Sequence, residues 1–109
     1  MADTLKVLGQ VNPTATTLTT AYTAPSLTTA IVRSILVANR SATPTSFRVS
    51  IAVAGATDDN KQYTHYDVPI SGNETMALEI AATLGAADVV RVYATLATLS
   101  FNLFGLEVS

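Results

Sequence analysis

The chain has no cysteine among its 109 residues, which removes disulfides, thiolate nucleophiles and Cys-based metal sites at once. It has no tryptophan either, so the aromatic platform that would most help a sugar-binding face is missing. Charged residues make up only 13%, about half the usual quarter. The net charge of −2 and the scattered placement of Lys6, Arg33, Arg40, Arg48, Lys61 and Arg91 provide no basic field to neutralise phosphates, which argues against nucleic acid as a partner. The five glycines never fall into GxGxxG or GxxxxGK[ST], so nucleotide binding has no support. No apolar run approaches the length of a membrane span, and Met1 to Lys6 lack the basic-then-apolar order of a signal peptide. The expectation is a soluble chain made in a cytoplasm, with no membrane partner. Such sparse charge is low for a lone monomer in water, and it suggests a surface partly covered by neighbours.

What the chain does have is threonine, valine, isoleucine and alanine, and the first three are branched at Cβ, which favours pleated strands. Turn signals recur at short intervals, at Asn12-Pro13, Ala24-Pro25-Ser26, 39–44, 55–60, Ser71-Gly72-Asn73 and Gly85. Between them the residues alternate. Phe47, Val49, Ile51 and Val53 interleave with Ser46, Arg48, Ser50 and Ala52, and Leu99, Phe101 and Leu103 interleave with Ser100 and Asn102. Residues 29–38 are apolar on both sets, as in a central strand, although Arg33 interrupts one face. Further strands are expected near 16–23, 63–70 and 88–94. Residues 73–84 fit either period, because Met76, Ile80 and Leu84 suit a helix while Met76, Leu78, Ile80 and Ala82 suit a strand; the surrounding strands favour the second. Residues 1–11 predict an edge strand or arm, with Lys6 blunting the edge. The prediction is one all-β domain over 1–109, a β-sandwich or jelly roll of about eight strands, with Val49, Ile51, Phe101 and Leu103 in its core.

The only histidine, His65, lies in Tyr63-Thr64-His65-Tyr66-Asp67, and on a strand Asp67 would share its face and could orient it. A catalytic base also needs a nucleophile or a reacting group, and no nucleophile elbow, second histidine or cysteine completes a set. A polar surface or interface role is therefore expected, and no enzymatic activity. Asp58-Asp59-Asn60 after Gly55 offers oxygen ligands in a turn, yet it lacks the alternating acids and terminal glutamate of an EF-type loop. The run reads as a solvated hairpin tip, since Gly, Asp and Asn suit unusual turn angles. Glu74, Glu79 and Glu107 carry no glycosidase motif. No catalytic, metal-binding or cofactor-binding residue is expected, and no cofactor.

The sequence resembles a family of short virion structural proteins of tailed bacteriophages. The resemblance rests on Asn12-Pro13-Thr14-Ala15 with Leu18, Tyr22 and Pro25, on Ile35-Leu36-Val37-Ala38-Asn39-Arg40, and on Phe47-Arg48-Val49. It continues through 63–69, Asp88-Val89-Val90-Arg91-Val92-Tyr93-Ala94 and the ending Leu99 to Glu107. It implies a capsid decoration (cement) subunit in the virion that binds the major capsid protein as a homo-oligomer. A tail, collar or fibre component is the alternative within the virion, and a small carbohydrate-binding module is the alternative from another class. The interface is expected to include Leu8 and Tyr63, His65 and Tyr66, with Arg40 as a rim contact, because interfaces favour Tyr and Arg.

Overall fold

Cβ-branched and apolar residues at alternate positions build eight strands in the computed structural model, which describes residues 3–109. They are β1 (Asp3–Val11), β2 (Thr19–Thr23), β3 (Thr29–Asn39), β4 (Thr45–Ala52), β5 (Tyr63–Ile70), β6 (Thr75–Leu84), β7 (Val89–Ala94) and β8 (Leu99–Val108). Two 3₁₀ turns, Val53–Gly55 and Asn60–Gln62, lie between β4 and β5. All pairings are antiparallel, in a first sheet of order β1-β8-β3-β6 and a second of order β2-β7-β4-β5. Strand one pairs with eight, two with seven, three with six and four with five, as when a long hairpin is rolled up. This is the jelly-roll order, and the all-β sandwich expected from the sequence is the fold.

The core lies between the sheets. Val32, Ile35, Val37, Leu99, Phe101 and Leu103 of the first sheet meet Phe47, Val49, Val90 and Val92 of the second, all fully buried. Phe47 meets Phe101 edge to face, with ring centroids 5.9 Å apart. Segment 73–84 resolves as strand β6, with even-numbered residues from Met76 to Leu84 turned to the core and odd-numbered ones exposed. Strand β4 ends one residue earlier than the alternation suggests. Ile51 is half-buried against the core rather than enclosed, and Val53, in the following turn, is 71% exposed. Val49, Phe101 and Leu103 are buried as expected.

The N-terminal strand β1 forms one edge of the first sheet; residues 1 and 2 of the expected arm lie outside the described residues. Its register with β8 shifts between Val7 and Gly9, and the extra residue, Leu8, drops into the core. Here glycine is required. A Cβ on Gly9 would overlap the carbonyl oxygen of Ala21, where the edges of the two sheets meet. The same side is tied by the Tyr22 hydroxyl, which donates to Glu107 Oε2 at 2.5 Å, and by Lys6 Nζ, 3.3 Å from Glu107 Oε1. Burial and this carboxylate push the Tyr22 hydroxyl strongly up, while the tyrosine hydrogen bond holds Glu107 below the usual carboxylate range.

Candidate interaction surface

On the outer face of the second sheet, alternation along β4 and its register with β7 bring Arg48 opposite Tyr93. Strand β5, the other neighbour of β4, is an edge strand whose register slips between the pairs Phe47–Val68 and Val49–His65. Two residues, Tyr66 and Asp67, thus stand against Arg48 alone, and Asp67 takes a left-handed φ of 51°. The bulge aims both at the arginine. Arg48 Nε donates to Asp67 Oδ1 at 2.7 Å and Nη2 to Oδ2 at 3.4 Å. The guanidinium carbon stands 4.1 Å from the Tyr66 ring centroid and 4.4 Å from that of Tyr93, so the cation is held between two aromatic faces. Hydrogen bonding to Asp67 raises the Arg48 pKa still further.

Tyr63 extends this cluster. Its ring meets Tyr66 edge to face at 5.1 Å and 87°, and its hydroxyl donates to Asp58 Oδ2 at 3.2 Å. Burial first, and then the Asp58 carboxylate, raise the Tyr63 pKa. Asn60, Tyr63 and Tyr66 line an open concavity of about 460 Å³. The acidic run beside it serves the backbone: Asp59 caps the 3₁₀ turn by accepting from the Lys61 amide, while Gln62 Oε1 accepts from the Asp59 amide. Among the described residues, no three His, Cys, Asp or Glu side chains come together as a metal site.

The candidate residues separate. Tyr63 and Tyr66 belong to one patch, with Tyr66 exposed. His65 pairs with the core residue Val49, which sets it on the inner side of the edge strand; its Nδ1 shares a 2.9 Å hydrogen bond with Thr64 Oγ1, and burial lowers its pKa. Asp67 is bonded to Arg48, so it does not serve His65 as the orienting carboxylate that strand spacing suggests. Leu8 is a correction: the β1 bulge turns it inward, only 9% exposed, so it is unsuited to a docking contact. Arg40 lies at one end of the sandwich, where Nη2 donates to Asn12 Oδ1 at 3.0 Å and to the Ala97 carbonyl at 3.1 Å. It braces three loops there and is not part of the tyrosine patch. Arg48, Asp67 and Tyr93 are the members that sequence reasoning missed. Arg48 was visible as an outward residue of β4, but its partners follow from a pairing and a bulge that no local pattern encodes.

No family model matches the chain, and no curated protein matches it.

Proposed function

We propose that this chain is a structural subunit of a bacteriophage virion, a capsid decoration protein that binds coat protein through the outer face of its second sheet. The observation that carries the reading is the Arg48 cluster. Tyrosine and arginine dominate the energetics of protein interfaces, and here Arg48, Tyr63, Tyr66 and Tyr93 are ordered against one another before any partner arrives. Such a patch loses little side-chain entropy on docking. The Asp67 contact leaves Arg48 without a bare charge to desolvate. The sequence resemblance supplies the setting, and the sparse charge agrees with a subunit covered by neighbours. Jelly rolls serve in viral shells and in lectins, so the fold alone selects neither.

Gel densitometry of purified particles tests the reading. Abundance comparable with the coat protein, and loss of the subunit from particles carrying Tyr66→Ala, are expected. A few copies located on the tail or neck would move the assignment to a tail, collar or fibre component. The concavity of Asn60, Tyr63 and Tyr66 favours one reading of another class, a small carbohydrate-binding module in which a sugar stacks on Tyr66. Absence from particles together with saturable binding on a glycan array would establish that reading instead.

A further inference from the structure

Among the described residues, no element covers the outer face of the first sheet. Register places Leu5 opposite Leu106, Leu106 opposite Ile31 and Ile31 opposite Thr83, forming one row across all four strands. The neighbouring row runs Val7, Phe104, Ser34 and Glu79. These residues point away from the core because their neighbours Leu103, Val32 and Ile35 point into it. Leu5 is 74% exposed and Val7 47%. A sheet face turned to water is normally polar; this one carries aliphatic and aromatic side chains across β1, β8 and β3.

We propose that this face binds the same face of a second copy of the chain, forming a two-fold dimer of sandwiches stacked through their first sheets. The two innermost strands of the sheet are β8 and β3, and the row is centred on Leu106 and Ile31. A two-fold axis running along the strands between them lays the row on its own reverse. Leu106 then faces Ile31 of the second copy, Ile31 faces its Leu106, and all four strands meet four strands. The same operation brings Arg33 over Phe104 of the second copy. Arg33 is the extra residue of the β3 bulge between Val32 and Ser34; it is exposed and makes no ion pair among the described residues. An aromatic face is a favourable place for that cation.

Area agrees with this occupant. Four strands about 4.8 Å apart, each about ten residues of 3.3 Å, span roughly 600 Å² per copy, or about 1,200 Å² for the pair, which clears the roughly 1,000 Å² expected of a specific interface. The second sheet would not serve in the same way. Its outer face is occupied by the Arg48–Asp67 pair and by Arg91, which donates to the Ala56 and Gly55 carbonyls. The pairing does not depend on the virion reading, because it concerns the isolated chain.

Sedimentation velocity of the full chain over a range of concentrations is the test, with twice the 11.4 kDa chain mass expected. Leu106→Lys, checked for a native strand signal by circular dichroism, is expected to sediment as a monomer, whereas Tyr66→Ala on the opposite face stays dimeric. Because the chain has no cysteine, Leu106→Cys introduces a unique thiol. In the stacked pair the two backbones at position 106 lie roughly 11 Å apart, one strand spacing sideways and one sheet spacing across. The two thiols, both turned into the interface, lie closer than that, so a short bifunctional maleimide should give a covalent dimer in high yield. Tyr66→Cys should give little. A wild-type chain that remains monomeric, a folded Leu106→Lys variant that remains dimeric, or equal cross-linking from positions 66 and 106 would overturn the proposal.

Discussion

Phe101 is the most informative place to perturb the fold, because it joins three strands and both layers. It pairs with Val11 of β1 and Val37 of β3, is fully enclosed, and presents its ring to Phe47 of the second sheet at an interplanar angle of 76°. Phe101→Ala removes the whole ring and leaves a cavity that a sheet hydrogen-bonded on both sides cannot collapse, so a loss of about 3–5 kcal/mol is expected. Domains of this size are held by about 5–15 kcal/mol in total, so the alanine variant should melt far below the parent. Phe101→Leu keeps most of the volume and should cost less than about 1.5 kcal/mol. Combining Phe101→Leu with Phe47→Leu in a double-mutant cycle isolates the edge-to-face contact, expected at about 0.5–1.5 kcal/mol. Urea unfolding followed by far-ultraviolet circular dichroism and tyrosine fluorescence reads all of these, and the absence of tryptophan leaves tyrosine as the sole strong emitter. A change below about 1 kcal/mol for Phe101→Ala would show that the inward face of β8 is wrong.

Gly105→Ala should lower stability by about 1–3 kcal/mol, since its Cβ would overlap the Ile31 carbonyl oxygen, a backbone atom held in the sheet. Gly85→Ala, where the nearest atom is Asp88 Oδ2 at 3.7 Å, should be neutral or stabilise by up to about 1 kcal/mol; equal losses at both sites would refute the close approach. Asn39 is buried, donates to the Thr43 and Ser71 carbonyls and accepts from the Ser41 amide. Asn39→Ala strands those groups, and urea titration should show a loss of about 2–3 kcal/mol. Burial depresses the folded-state pKa of His65 below 6.5, so the unfolded chain takes up its proton first as pH falls. Its contribution is fully present above that value and is lost as pH drops through the folded pKa. The urea midpoint should therefore fall as the pH drops below 6.5, and His65→Gln should flatten that slope; an unchanged slope would place the titration elsewhere.

Strand positions were legible because the period-two signal is local. Residues 63–70 match β5 at both ends, and the ambiguous 73–84 segment resolved as a strand. The faces were harder, because one inserted residue reverses every side chain beyond it. Bulges at Leu8, Arg33 and Asp67 did this on three strands. They moved Leu8 into the core and Asp67 away from His65. The usual flag for such positions, glycine at positive φ, was absent. Thr16, Leu27, Ala54, Asp67, Asn73, Ala81 and Ala87 adopt positive φ, whereas Gly55 is the one glycine that does among the described residues. Gly9, Gly72 and Gly105 instead meet carbonyl oxygens of neighbouring segments, a requirement of close approach that a single sequence does not reveal.

The basic residues connect the low charge of the sequence to the two faces of the sandwich. Lys6 is tied to Glu107, Arg40 to Asn12 and the Ala97 carbonyl, Arg48 to Asp67, and Arg91 to the Ala56 and Gly55 carbonyls. Each tie bridges segments distant in sequence, so these cations act as braces between strands and loops. Exposed ion pairs contribute little stability singly, about 0–1 kcal/mol, but they fix side-chain geometry, and at Arg48 that geometry is the tyrosine patch itself. Removing the Asp67 carboxylate should therefore disturb binding more than folding. With Asp67→Asn, the loss in stability should stay below about 1 kcal/mol. The guanidinium would lose its charged anchor between Tyr66 and Tyr93, and on the proposed virion role incorporation of the subunit into particles should fall. Comparing urea midpoints with particle densitometry separates the two effects. A variant that loses stability in proportion to incorporation would make Arg48 a structural brace alone, and the patch on the second sheet would then have to be sought in other residues.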